Sequence, residues 1–170
     1  DLPVDTAGLL RRLAAFTPWV STLDRALRDL PAGRFDLVMG MTICFEALLW
    51  PAYEAARRLG VPFVLIPLLH LGESEQSQLR RFYTMRHQRY LLRQADAVIA
   101  LTDVEREYVV GQRGTPERVY VSGAGVDPAD VAGGDARRLR DALSIEGPIV
   151  VALGTASYDK GTVHTVEAMR

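Results

Sequence analysis

Hydrophobic positions change their period along this chain. Over residues 6–29, Leu9, Leu10, Leu13 and Phe16 recur at helical spacing, and Trp19, Leu23, Leu27 and Leu30 continue the series beyond Pro18. One apolar helical face is expected there, in two pieces, because proline lacks the amide donor that a helix interior needs. Pro31-Ala32-Gly33 ends the series. From Phe35 onward, short continuous apolar runs alternate with helical stretches. Strands are expected at 35–39, 61–69, 97–101, 119–122 and 148–153, and helices at 45–59, 78–94, 103–110, 136–143 and from 160 onward.

The run at 61–69 is too continuous for a half-exposed strand. It reads as a strand buried on both faces, as parallel sheets require. Thr102, with Glu105 three residues on, has the spacing of a capping box. Strands separated by helices imply right-handed crossovers. The expected fold is therefore α/β, a Rossmann-like parallel sheet with helices on both faces. Such sheets bind ligands beyond the carboxyl ends of their strands. The loops of interest are then 40–44, 70–77, 102–105, 123–127 and 154–161.

Composition sharpens this picture. The chain has 170 residues, 48% of them hydrophobic and 24% charged, which is enough to build a core and excludes wholesale disorder. A net charge of −1 gives no general attraction to nucleic acid. The single cysteine, Cys44, cannot form an intrachain disulfide and favours a reducing, cytoplasmic compartment. The apolar run at 61–69 is interrupted by Pro62 and Pro67 and falls well short of the ~20 residues needed to cross a bilayer. Residues 1–5 carry neither an initiator Met nor a targeting pattern, and read as a cut inside a longer protein.

Candidate chemistry is sparse. His70 stands at the carboxyl end of a buried strand, where an imidazole can bond a hydroxyl or a phosphate, or can simply cap local backbone. His87 and His164 fall in helical stretches and are expected at the surface or half-buried. Lys160 is the only lysine among 20 basic residues. With Gly154, Thr155 and Ser157 it forms a loop between a strand and a helix that can hold an anion, or that is an ordinary turn. The spacing is not that of a P-loop. Gly123-Ala124-Gly125 is a fragment of a dinucleotide fingerprint without its third glycine. Arg80, Arg81, Arg86, Arg89 and Arg93 occupy a stretch with no acid from Gln76 to Gln94, either a solvated face or a site for anionic lipid or phosphate. No zinc spacing, Asp-x-Asp pair or G-x-S-x-G elbow occurs.

The segments FDLVMGM (35–41), GVPFVLIPLLH (60–70), ADAVIALTDVEREYVV (95–110), ERVYVSGAGVDP (117–128) and VALGTASYDKGTVHTVEAM (151–169) together resemble the retaining glycosyltransferases of group 1, family 4. The resemblance implies a GT-B architecture of two Rossmann-like domains. Residues 1–127 would be part of the N-terminal, acceptor-side domain, 128–147 a linker, and 148–170 the start of the donor-binding domain. It implies metal-independent transfer of a sugar, with retention, from a nucleotide-diphosphate sugar to a hydroxyl of a glycan, lipid or small molecule. No cofactor is implied beyond that co-substrate, and no nucleic-acid partner.

The resemblance gives His70 the catalytic position. Gly154, Thr155 and Lys160 fall at the donor's diphosphate, and Gly40 and Glu73 in acceptor-side loops. Thr155 departs from the family pattern, which has Arg there. The intact parent would be the enzyme and cytoplasmic, and the piece alone would be inactive; the Arg-rich 78–94 helix permits peripheral contact with the inner membrane and does not establish it. Two other readings stay open at this point. One is a noncatalytic binding module; the other is a GT-B relative acting as an epimerase or phosphorylase.

Overall fold

The computed structural model describes residues 8–9, 20–72, 76–77, 79–113, 115–156 and 160–170. Most of the first helical stretch, including Leu10, Leu13, Phe16 and Trp19, lies outside them. The chain divides into two compact units, Asp1–Gly125 and Val126–Arg170.

In the first unit, helix α1 (Ser21–Arg28) precedes an alternating series: β1 (Val38–Met41), α2 (Glu46–Leu59), β2 (Phe63–Ile66), α3 (Arg80–Tyr83), α4 (Arg86–Gln94), β3 (Ala97–Ala100), α5 (Asp103–Arg113) and β4 (Val119–Val121). The four strands are parallel and lie in sequential order. The expected α/β parallel sheet is present. Right-handed crossovers that all step the same way put their helices on one face. Accordingly α2 packs on β1 and β2, α5 on β3 and β4, and α4 touches both helices. Phe63, Leu65, Val98 and Ala100 point into this layer and are fully buried with Leu49, Trp50, Leu91, Leu92 and Val109. On the opposite face Met39, Met41 and Tyr120 are 50%, 55% and 57% exposed. The described helices thus cover one face. Covering the second by crossovers requires a reversal of strand order that β1–β4 do not contain.

β2 is shorter than its apolar run because Pro62 and Pro67 bound it. Proline cannot donate to a ladder, yet both still accept, Pro62 O from the Val38 amide at 2.9 Å and Pro67 O from the Ile43 amide at 2.8 Å. The expected helix at 78–94 is two helices. Met85 is extended (φ −68°, ψ 159°) between them. Gln88 closes the break: its Oε1 accepts from the Met85 amide at 2.8 Å, and its Nε2 donates to Phe82 O at 2.7 Å.

The second unit holds α6 (Pro128–Val131), α7 (Ala136–Leu143) and α8 (Thr162–Ala168). Asp127 and Asp135 cap α6 and α7, each accepting a backbone N–H at 2.9 Å. The strand expected at 148–153 is absent. Val150, Val151 and Leu153 are 59%, 72% and 100% exposed. Their apolar character supplies propensity, but no described strand offers them a ladder. No helix of the described residues is long and apolar enough to cross a membrane.

Candidate functional site

The carboxyl ends of β1, β2 and β3 form a rim with unusual backbone. Thr42, just past β1, has φ +70°, and Leu68, just past β2, has φ +51°. Side chains rarely adopt this region, at a cost of about 1–3 kcal/mol each, and such strain collects at functional sites. Neighbouring bonds impose it. The Thr42 amide donates to Ile66 O at 2.9 Å, and Thr42 O accepts from the Phe45 amide at 3.0 Å as the chain turns into α2.

Glu105 fixes the next two exits. It is 5% exposed. Its Oε1 accepts from the Leu69 amide at 2.7 Å and its Oε2 from the Leu101 amide at 2.6 Å. Its own amide donates to Thr102 Oγ1 at 3.1 Å, so the Thr half of the expected cap is made. The carboxylate, instead of closing the box, ties β2's exit to β3's.

His70 follows Leu69 directly and is exposed. Its ring lies 5.3 Å from that of Tyr83, tilted by 52°. Tyr83 also neighbours Cys44, and each acts on the other's ionisation. Burial is the main force raising the Cys44 pKa, with Glu46 adding to it, and burial also pushes Tyr83 upward. Cys44 is therefore held as a thiol, which removes its nucleophilic form. Among the described residues the rim offers an exposed imidazole and a neutral phenol side by side, groups suited to bonding hydroxyls.

Behind them, Glu46 in the first turn of α2 accepts at Oε1 from Gln88 Nε2 (2.6 Å) and bonds His87 Nε2 (2.8 Å). His87 is 7% exposed, which corrects the expectation of a surface or half-buried residue. The break at Thr84-Met85 turns it inward to Glu46. This buried knot holds α4 against α2 and so sets where Tyr83 stands.

The remaining sequence candidates are dispersed. Gly40 is not in an acceptor loop. It lies inside β1, where an added Cβ would come within 2.6 Å of Leu49 Cδ2 and 3.2 Å of Phe63 Cζ, so close packing explains it. Glu73 and Ser157 lie outside the described residues. Gly154 has φ +144°, a region nearly reserved for glycine, with Thr155 beside it. Lys160 is exposed in the turn before α8. These three belong to the second unit, and because 148–153 is not a strand, no sheet rim carries them there. Among the described residues no group of three or more His, Cys, Asp and Glu could hold a metal ion.

Sequence reasoning missed Glu46, the pairing of Cys44 with Tyr83 and the pinning role of Glu105. Only the Thr102/Glu105 spacing carried a signal. An open depression of about 430 Å³ lies at the other end of the sheet, lined by Arg57, Gly60, Pro62, Asp96 and Arg118. It sits at the amino ends of β2 and β3, away from the rim.

The family model described as "Glycosyl transferase 4-like domain" matches residues 2–125. The chain belongs to that family, and the match ends where the first compact unit ends, at Gly125. No curated protein matches the chain.

Proposed function

We propose that the protein serves a retaining, metal-independent transfer of a sugar from a nucleotide-diphosphate donor to an acceptor hydroxyl, on a GT-B framework. Membership of the glycosyl transferase 4-like family supports the class. The observation that carries the site is His70, exposed beside Tyr83 on the carboxyl rim of a parallel sheet, with the preceding amide pinned by Glu105. In this reading residues 1–127 are the acceptor side, 128–147 the linker, and 148–170 the beginning of the donor side. A cytoplasmic location suits the free thiol of Cys44.

The acceptor oxygen bonds to the anomeric carbon as the bond from that carbon to the diphosphate oxygen breaks. The electron pair leaves with the diphosphate, and the acceptor's proton passes to the departing phosphate oxygen. His70 orients a hydroxyl of the sugar or acceptor. In this reading Lys160 answers the charge gained by the diphosphate. Support for Lys160 comes from its charge and its sequence motif.

The test measures nucleoside diphosphate release by the full-length protein from a set of nucleotide sugars with hydroxyl acceptors. Lys160→Ala and His70→Ala should each lower turnover by ~10²-fold with melting curves unchanged. Undiminished turnover in either variant removes that residue from the site. If nucleotide diphosphates bind to wild type without any release, the noncatalytic module takes the place of this reading.

A further inference from the structure

The segment around α3 carries exposed apolar side chains that the fold leaves uncovered. Leu79, Phe82 and Met85 recur every three residues and are 47%, 57% and 38% exposed. Arginines surround them. Arg81 and Arg86 are exposed and Arg89 half-buried. Two further arginines are engaged within the fold: Arg80 lies over the Tyr108 ring at 5.3 Å, and Arg93 Nε donates to Gln112 O at 2.9 Å. From Gln76 to Gln94 there is no acid. The inner side of α4 is buried through His87, Gln88, Leu91 and Leu92, so Arg86, Arg89 and Arg93 occupy its outer side.

We propose that this segment docks on an anionic lipid bilayer, with Leu79, Phe82 and Met85 at the headgroup boundary and Arg81, Arg86 and Arg89 against lipid phosphates. Charge complementarity selects the occupant. A band of one sign flanking large apolar side chains is the composition of an interfacial segment. An acidic protein surface would meet the arginines but leave three separate apolar side chains without matching pockets. Tyr83, on the same short helix, contacts His70, so docking would bring the rim to the membrane surface. The inference stands without any catalytic role for that rim.

The experiment is co-sedimentation of the full-length protein, without nucleotide sugar, with vesicles of phosphatidylcholine alone or mixed with phosphatidylglycerol. Wild type should sediment with the mixed vesicles and weakly with the neutral ones, and salt should release it. Leu79→Ser with Phe82→Ser should weaken binding about tenfold or more. Arg81→Gln, Arg86→Gln and Arg89→Gln should each weaken it about fivefold. Leu79, Phe82, Arg81 and Arg86 are exposed and Arg89 is half-buried, and a wild-type melting curve confirms folding of each variant. Failure to sediment with the mixed vesicles, equal binding to both kinds, or undiminished binding by the variants overturns the proposal. So does a dimer in solution that the Leu79/Phe82 variant dissociates while vesicle binding is absent.

Discussion

The two ends of the sheet are built with the same device and different purposes. At the amino end, Asp96 Oδ2 accepts from the Phe63 amide at 2.8 Å, fastening the start of β2 to the start of β3. At the carboxyl end, Glu105 does the same for the two exits. Asp96 is partly exposed and paired with Arg57 at 2.7 Å, and the nearby backbone has no strained side-chain-bearing residue. Glu105 is buried, accepts two backbone amides, and stands where Thr42 and Leu68 hold left-handed backbone. The amino end is a solvated clamp. The carboxyl end stores strain and presents His70, which is where a parallel sheet binds its ligand.

That contrast predicts unequal costs. Glu105→Ala leaves two amides without acceptors. Each unsatisfied donor costs about 1–3 kcal/mol, so the loss should fall within about 2–6 kcal/mol by denaturant unfolding, toward the lower end because both amides are only part-buried. Glu105→Gln can accept only one of the two and should recover part of it. A loss below about 1 kcal/mol for Glu105→Ala would erase the distinction between the two ends.

The packing inside β1 gives the next effect. Gly40→Ala drives a Cβ toward Leu49 Cδ2 in a filled core and should cost about 1–3 kcal/mol. At Gly154 a Cβ would meet nothing within 4 Å, so Gly154→Ala acts through its φ of +144° alone. Unfolding midpoints of the two variants separate packing from backbone. If Gly40→Ala unfolds like wild type, Gly40 returns to the list of candidate ligand contacts.

What the sequence made legible follows the range of the interactions. Apolar runs located four strands along the chain, because burial along a strand is written in consecutive residues; their order in the sheet came only with the structure. The site's chemistry depends on contacts far apart in sequence. Glu46 meets Gln88 and His87, and Glu105 meets Leu69, and no periodicity announces either pairing. His87 reads as a helical surface residue until the break at Met85 turns it inward. His70 was readable because its position at a strand's end is local. The strand at 148–153 failed for the converse reason: its composition is local, but a strand exists only with a neighbour.

The smallest expected effect tests the amino end. Burial works against the Asp96 carboxylate, but the Phe63 amide and the Arg57 guanidinium outweigh it and hold its pKa below the usual value. A carboxyl group whose pKa is lower folded than unfolded stabilises the fold above its unfolded pKa of about 4. That contribution disappears as pH falls through the lower, folded value. Because Asp96 and Arg57 are 35% and 41% exposed, solvent screening limits the pair to roughly 1 kcal/mol. Asp96→Asn should therefore unfold slightly more easily than wild type near neutrality, with the gap closing in acid. Urea midpoints measured at intervals down to about pH 3 read this directly. A gap that stays constant over that range would mean that Asp96 acts through shape and the Phe63 hydrogen bond. The ion pair would then drop out of the amino-end clamp, and the difference in burial would remain as what separates it from Glu105.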